Sequence, residues 1–246
     1  MTHKFSFAVL AIVLFSCQLG NAQDVGTKVY GNGDRYTGTR DSRERRSGYG
    51  TLEFANGDRY DGEWKKDVFH GQGVYKYADG SRYEGNWEKG EPKGEGTYYY
   101  ANGDVLTGTF RDATRTGHGT YTFYNPNVKN SDSTASSDYY EGEFVNGVSH
   151  GTGERHWANG TVYKGSWMFG RMDGKGEIVY NDGSKYSGDW KNGKFDGKGE
   201  VLYSDGTKYT GEWRNGKYNG EGYYTDKDGS VTHAMYRDGK VVKNLE

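Results

Sequence analysis

The chain has 246 residues, enough for one large domain or two small ones, and only 32% of them are hydrophobic even when tyrosine is counted. This composition excludes an ordinary aliphatic core, while 16% aromatic residues and only 2 prolines argue against disorder. The formal net charge of −2 comes from 32 basic and 34 acidic residues, so we expect no nucleic-acid partner.

Residues 1–22 have the three-part pattern of a secretory signal peptide. A short cationic start is followed by an apolar run over residues 5–15, and small residues stand just before Gln23. The apolar run is well short of the ~20 residues that a membrane-spanning helix needs. The sequence therefore predicts an exported chain, secreted, periplasmic or on the cell surface, with a repeat domain over residues 23–246.

Cys17 is the only cysteine, and its surroundings leave two interpretations open. The segment 14–17, Leu-Phe-Ser-Cys, resembles a bacterial lipoprotein cleavage box, although phenylalanine fits that box poorly. Cys17 is then either a lipid anchor or part of a signal peptide that is removed. In both cases the exported chain has no disulfide, so packing and hydrogen bonds must hold it together.

A Tyr-x-Gly-x-Trp motif recurs every 23 residues after the signal segment, which is typical of a repeat architecture. The step from Leu106 to Tyr140 is 34 residues long, and an inserted Ser-rich loop is predicted over residues 125–138. The end units depart from the motif, as the outermost units of a stack do. The predicted repeats start at Tyr36, Tyr60, Tyr83, Leu106, Tyr140, Tyr163, Tyr186, Tyr209 and the degenerate Thr232.

Both halves of each repeat have the period of a β-strand. In the Tyr-x-Gly-x-Trp motif and in the Gly-x-Gly motif that follows it, glycines and aromatic residues alternate with mostly polar residues. Pairs such as Asn56-Gly57 then separate one repeat from the next, and we predict a type I′ hairpin turn at each of them. The other connection, such as the one over residues 88–93, is predicted to be a longer open loop.

These elements predict an all-β fold: an elongated, single-layer, twisted antiparallel sheet of stacked β-hairpins, built from about 8 repeats of 23 residues. Glycines leave room for rings to lie on the sheet and to pack against the next repeat. We expect these rings mainly to form the core, while part of an apolar face stays open to a partner. The candidate packing and interaction face consists of Tyr60, Trp64, Tyr83, Trp87, Tyr163, Trp167, Tyr186, Trp190, Tyr209 and Trp213.

A local basic run contains the candidate patch Arg40, Arg43, Arg45 and Arg46. Such a run can contact lipid phosphate or an acidic partner. Acidic residues stand between these arginines, so a solvated loop is the competing interpretation.

The order of Tyr-x-Gly-x-Trp, Gly-x-Gly and [Asn/Asp]-Gly resembles the membrane occupation and recognition nexus (MORN) repeat over about residues 28–240. The resemblance implies stacked β-hairpins that serve as an interaction platform, and it carries over no catalytic residue. Arg40, Leu106, Phe110 and Phe144 depart from the motif, which leaves open how their units pack.

No residue pattern typical of an enzyme, a phosphate loop or a calcium loop is found, and the histidines are spread over separate repeats. We therefore expect no enzymatic activity, no cofactor and no metal. The function expected is a scaffold that binds a protein or itself through the aromatic face. Peripheral binding to anionic lipid headgroups is the alternative, and action on or binding of carbohydrate comes third. Asn159 begins an Asn-x-Thr acceptor motif, which matters only in a eukaryotic secretory pathway.

Overall fold

The computed structural model describes residues 25–111, 114–125 and 138–245. The predicted signal peptide, Cys17 and nearly all of the predicted loop over 125–138 lie outside these residues. Within the described ranges every regular element is a β-strand. The strands are β1 (Gly26–Val29), β2 (Arg35–Arg40), β3 (Arg46–Glu53), β4 (Arg59–Lys65), β5 (Val68–Lys76), β6 (Arg82–Glu88), β7 (Glu91–Tyr99), β8 (Val105–Phe110), β9 (Gly117–Thr122), β10 (Tyr139–Val145), β11 (Val148–His156), β12 (Val162–Met168), β13 (Arg171–Val179), β14 (Lys185–Lys191), β15 (Lys194–Leu202), β16 (Lys208–Arg214), β17 (Lys217–Thr225), β18 (Val231–Arg237) and β19 (Lys240–Asn244).

Each strand pairs antiparallel with the strand before it and the strand after it, from β1–β2 to β18–β19. The 19 strands form one sheet, which confirms the predicted all-β fold of stacked hairpins. Eight repeats of two strands each would give fewer than 19 strands. The additional strands come from the degenerate segments at both ends of the chain, which also pair. At ~4.8 Å between strands, the sheet extends on the order of 85 Å across its strands.

The two kinds of turn are the reverse of those predicted. At Asn56-Gly57 only the glycine has positive φ, at 94°, and the amide N–H of Gly57 donates to the carbonyl of Phe54. The loop predicted to be long and open is a two-residue turn, in which Lys89 and Gly90 have φ of 55° and 89°. Positive φ at both central residues is the type I′ geometry. The tight turns therefore join the two strands of one repeat, and the Asn-Gly and Asp-Gly turns join successive repeats.

A β-bulge in each full repeat explains why the motif begins with tyrosine. Between β12 and β13 the register shifts after Gly165, so that Ser166 has no partner in β13, although it pairs with Thr152 of β11. The Tyr163 hydroxyl donates to the carbonyl of Ser166, at 3.0 Å. A buried phenol and a bulged carbonyl thus satisfy each other. The same bond joins Tyr36 to Thr39, Tyr60 to Glu63, Tyr83 to Asn86, Tyr140 to Glu143, Tyr186 to Asp189 and Tyr209 to Glu212.

The Leu106 unit supports this explanation. Leucine has no hydroxyl to donate, and the β8–β9 pairing runs without a register shift from Val105 to Phe110. Leu106 and Phe110 are nevertheless buried, at 3% and 4% exposure. The Leu106 unit therefore lacks both the phenol and the bulge and still contributes to the core, whereas the degenerate Thr232 unit has a register shift between Met235 and Tyr236 without a motif tyrosine.

Facing glycines make room for each tyrosine ring. Gly62 and Gly73 are directly opposite each other in β4 and β5, and the Tyr60 ring lies over them. A Cβ atom added at Gly73 would lie 2.6 Å from Tyr60 Cζ. Real Cβ atoms do not approach a ring this closely, so an alanine would displace the ring or the strand.

Burial of the phenols predicts unfolding in alkali. Burial raises the pKa of Tyr36, Tyr83 and Tyr163 to about 12, above the ~10 of an unfolded tyrosine. The contribution of each is complete below pH ~10 and is lost as pH rises through the folded-state pKa, with a slope of about 1.4 kcal/mol per pH unit. Urea unfolding between about pH 8 and 11 should show this decline, and unfolding should add the phenolate absorbance of the buried tyrosines to that of the exposed ones. Phenolate formation by all the tyrosines near pH 10, with the fold retained, would contradict the burial.

Candidate interaction surface

The ten residues of the predicted aromatic face lie on one face of the sheet, and all of them are core residues. Their exposure is at most 8%. The Tyr60 ring meets its own Trp64 edge-on at 5.2 Å and Trp87 of the next repeat at 5.4 Å. The indole N–H of Trp87 also donates to the carbonyl of Gly73, at 3.1 Å. These rings therefore link one repeat to the next, and the surface open to a partner is formed by other residues.

A second row of rings, which the sequence reasoning did not nominate, is only partly buried. These residues stand at every second position after the Gly-x-Gly motif. That spacing is the sequence signal from which the row could have been predicted. Neighbouring centroids are 4.6 Å apart within the Tyr75–Tyr77 pair and 5.9 Å apart between Tyr77 and Tyr98. The row consists of Tyr75, Tyr77, Tyr98, Tyr100, Tyr121 and Phe123.

The residue nine positions after the motif tyrosine is here called the lid residue, and in three units it is a ring that covers this tyrosine. Phe195 stacks on Tyr186 with centroids 3.6 Å apart, and Tyr218 stacks on Tyr209 at 3.8 Å. In the Tyr140 unit the lid residue is Ser149, which lies opposite Phe144 in the β10–β11 pair. The Tyr83 and Tyr163 units have Pro92 and Met172 at this position, so Ser149 is the smallest lid residue among the full repeats.

A groove of about 500 Å³ lies beside Ser149 and Tyr140, and it is here called the Tyr140 groove. In the Tyr60 unit the lid Phe69 lies 3.9 Å from Tyr60, 4.8 Å from Trp64 and 5.3 Å from Trp87, between ring centroids. The three equivalent rings all line the groove. Its lining residues are Tyr121, Phe123, Tyr140, Phe144, Gly147, Val148, Ser149, Arg155, Trp157, Trp167, Gly170, Arg171, Met172 and Gly193.

Exposed apolar residues lie beside the groove. Val148, Met168 and Phe169 are 42%, 52% and 65% exposed. Phe169 has φ of 44°, a conformation that is unfavourable for a bulky residue. Its place in the type I′ turn is held in other repeats by Lys66, Lys89, Asn146, Asn192 and Asn215. A strained, exposed phenylalanine therefore replaces polar residues only in the turn next to the groove, among these repeats.

The charged residues that line the groove are two arginines. Arg155 pairs with Asp138, and its guanidinium lies 3.6 Å from the centroid of Phe123. Burial lowers the pKa of this guanidinium, and its Nε donates to no acceptor in the described chain. Arg171 is exposed and donates to the side-chain oxygen of Asn192, at 3.2 Å. The groove thus combines an apolar lining with positive charge.

Most of the predicted basic patch is paired with carboxylates. Arg40 pairs with Glu44 at 2.8 Å, and Arg45 pairs with Asp41 at 2.7 Å. Arg46 pairs with Asp67 at 3.2 Å and lies over the Trp64 ring, 4.3 Å from its centroid. Arg43 is exposed. The structure therefore places three of the four arginines in local ion pairs.

No group of three or more metal-ligating side chains occurs in the described ranges. No described segment forms a helix that is long and apolar enough to cross a membrane.

Several solved structures align with most of this chain, all with TM-scores below 0.5. The TCP10 domain of Danio rerio CPAP is 16% identical, with 90% of this chain and 99% of that chain covered and a TM-score of 0.44. The TCP domain of SAS-4 from Drosophila melanogaster is 14% identical, covers 90% and 98%, and has a TM-score of 0.31. Virginiamycin B lyase from Staphylococcus aureus is 12% identical, covers 87% and 56%, and has a TM-score of 0.13. These likenesses carry no argument about function.

Among curated proteins, none matches this sequence. The MORN repeat family model matches residues 45–59, 60–82, 83–105, 107–125, 140–162, 163–185, 186–208 and 209–231, which together are most of the chain. These matches follow the period of the repeats described above. The chain therefore belongs to the MORN repeat family.

Proposed function

We propose that this chain is a non-enzymatic scaffold that binds a protein partner at the Tyr140 groove. MORN repeats are generally non-enzymatic and form repeat scaffolds. The observation that carries the proposal is the groove of about 500 Å³ beside Ser149, which is the smallest side chain at the lid position among the full repeats. A concave surface with a largely apolar lining is typical of a binding site.

The proposal favours the groove over the basic run as the binding surface. Ion pairing within the chain leaves Arg40, Arg45 and Arg46 less free to meet anionic headgroups. The exposed Phe169 lies beside the groove, and aromatic residues dominate binding energies at protein interfaces.

Filling the groove should abolish partner binding while the fold is kept. Phenylalanine is the natural lid residue of two other units, so Ser149→Phe should fold and gain about 1 kcal/mol or more from the buried ring. The wild-type chain, Ser149→Phe and Tyr223→Ser serve as baits for extracellular or envelope proteins. Tyr223 is an exposed ring on the opposite face, and its replacement should leave binding unchanged.

A stoichiometric partner that is retained by the wild type and by Tyr223→Ser, and is lost with Ser149→Phe, would support the proposal. A partner that is retained equally by all three baits would place binding elsewhere on the sheet. Thermal unfolding of each variant separates a lost site from a lost fold.

Export is part of the proposal and is supported by the pattern of residues 1–22. The N-terminus of the protein purified from its producing cells tests it. Processing before Gln23 is expected for a secreted chain, and a lipid-modified Cys17 would identify an anchored one. A chain that keeps Met1 would contradict export.

A further inference from the structure

A row of cations lies along one edge of the sheet, at the type I′ turns of the last four hairpins. In each of these hairpins the two residues that flank the turn face each other at the ends of the strands. Met168 faces Arg171 in the first hairpin, and two cations face each other in each of the next three. The facing cations are Lys191 and Lys194, Arg214 and Lys217, and Arg237 and Lys240. These six residues and Arg171 are here called the turn-edge row.

The cations of the turn-edge row are exposed, and the described chain supplies them with no counter-ion. Arg171 donates a hydrogen bond to Asn192, and no member of the row forms an ion pair with a described carboxylate. Asp173 and Asp196, two residues further along their strands, accept backbone N–H groups of the neighbouring turns at 2.9 and 3.0 Å. Within the four turns Asp238 is the only acidic residue. This edge therefore carries an excess of positive charge.

The facing cations reduce the stability of their own hairpins. Like charges directly opposite each other in an antiparallel pair are destabilising. Glu88 and Glu91 also face each other in an earlier hairpin, but Lys93 pairs with Glu88 at 3.0 Å. The three cation pairs have no such compensation within the described chain. An arrangement that opposes folding and recurs in three successive hairpins indicates a role in binding an anion.

The turn-edge row continues the Tyr140 groove. Arg171 lines the groove and is the first member of the row. Met168 and Phe169, in the same turn, are exposed apolar residues. Successive turns on this edge are two strands, or about 9.6 Å, apart, so the row extends about 29 Å from the turn at Arg171 to the turn at Lys240. About nine residues of extended chain span that distance.

The twist of the sheet favours a protein segment over a flat membrane. Neighbouring strands are rotated by about 20° relative to each other, which amounts to about 120° over the six steps from β13 to β19. The four turns therefore point in different directions, and a plane cannot meet all of them. An extended segment that starts in the groove can follow them.

Resting on the proposed function, we infer that the partner at the Tyr140 groove continues as an extended acidic segment along the turn-edge row. Its carboxylates pair with the exposed lysine and arginine side chains and remove the repulsion between the facing cations. Three residues of an extended chain advance by about 10 Å, which is close to the spacing of the turns. The segment therefore has an acidic residue at about every third position.

Three synthetic peptides test this inference on the purified chain, with binding measured by fluorescence anisotropy. The first has glutamate at every third position and serine between, the second has lysine in place of each glutamate, and the third has the same glutamates gathered at one end. We expect the first peptide to bind, the second to bind more weakly by about tenfold or more, and the third to bind several-fold more weakly. Added salt should weaken binding of the first peptide.

A charge reversal within the row separates binding from folding. Lys194→Glu gives Lys191 an opposite charge to face, so it should raise the midpoint of thermal unfolding while it weakens binding of the first peptide several-fold. Lys185→Glu is the matched control, because Lys185 is exposed and lies in the same hairpin, at the other end of β14. It makes the same change in net charge and should alter binding of the first peptide by less than about twofold.

Two further variants test the far end of the row and the groove separately. Arg237→Gln combined with Lys240→Gln changes the net charge as much as Lys194→Glu does, and it should weaken the first peptide to a similar extent. Ser149→Phe should leave binding of this peptide unchanged, because the peptide has no apolar residue for the groove. Full binding by the far-end variant, or equal binding of the first and third peptides, would overturn the extended arrangement.

The outcomes distinguish this inference from the proposed function. A captured partner that is lost with Ser149→Phe and kept by Lys194→Glu would overturn the inference and leave the groove as the binding site. A partner that is lost with Lys194→Glu and kept by Ser149→Phe would overturn the groove and place binding on the row. Failure of the first peptide would overturn the inference. In that case, phosphatidylserine vesicles that bind the wild type and not Lys194→Glu would assign the row to an anionic membrane.

Discussion

Replacing Gly199 with alanine should destabilise the chain by about 3 kcal/mol, although only one methyl group is added. A Cβ atom at this position would lie 2.6 Å from Cζ and 2.7 Å from Cε2 of Tyr186. The Tyr186 ring cannot move aside, because Phe195 stacks on it and its hydroxyl is bonded to the carbonyl of Asp189 at 2.8 Å. Urea unfolding measures the loss, and hydrogen exchange should place the weakened amides in β14–β16.

Gly31→Ala is the matched control for this substitution. A Cβ atom at Gly31 would meet no atom within 4 Å, and its φ lies outside the left-handed region. We expect its unfolding free energy to change by less than about 0.5 kcal/mol. If the two variants were equally stable, the facing glycines would not be needed for ring packing.

Replacing Phe195 with serine should open a second groove, at a cost of about 3–5 kcal/mol. The substitution gives the Tyr186 unit the residue that the Tyr140 unit has naturally, and it removes contacts with Tyr186, Trp190 and Trp213. Because each repeat is stabilised by its neighbours, β16 and β17 should also become less protected from hydrogen exchange. Urea unfolding and exchange measured together test both expectations.

Two comparisons control this variant. Ser149→Phe makes the reverse change and should stabilise the chain, while Tyr223→Ser removes an exposed ring and should change stability by less than about 1 kcal/mol. An unfolding free energy of Phe195→Ser close to the wild-type value would show that lid residues contribute little, and the groove at Ser149 would lose its significance.

The sequence alone predicts the sheet because its period is strict. Tyr60, Gly62 and Trp64 alternate with polar residues, and each copy is followed by a glycine turn, so the strands and their order follow directly. The turn types were predicted wrongly, because an Asn-Gly pair is compatible with more than one hairpin geometry. At Asn56 the side-chain oxygen accepts the N–H of Asp58 at 3.0 Å, and φ of Asn56 stays negative.

The candidate site was less accessible to sequence reasoning. Tyrosine and tryptophan are large and recur most regularly, which drew attention to Trp64 and its equivalents, yet these are the rings that neighbouring repeats bury. The groove arises from Ser149, a small polar residue that looks unremarkable in the sequence. The role of position 149 is recognised only by comparison with Phe69, Phe195 and Tyr218, which cover the motif tyrosines of their units. The register shift at the bulge brings these residues over the tyrosines, and a simple period of two does not predict that shift.

A double-mutant cycle between Gly199→Ala and Tyr186→Leu tests most directly whether the glycine is required because it leaves room for the tyrosine ring. The three atoms nearest to a Cβ at Gly199 all belong to Tyr186, so the clash should vanish when the ring is gone. We predict that Gly199→Ala costs about 3 kcal/mol in the wild type and at least about 2 kcal/mol less in Tyr186→Leu. Costs that add to within about 0.5 kcal/mol would contradict this account of the fold.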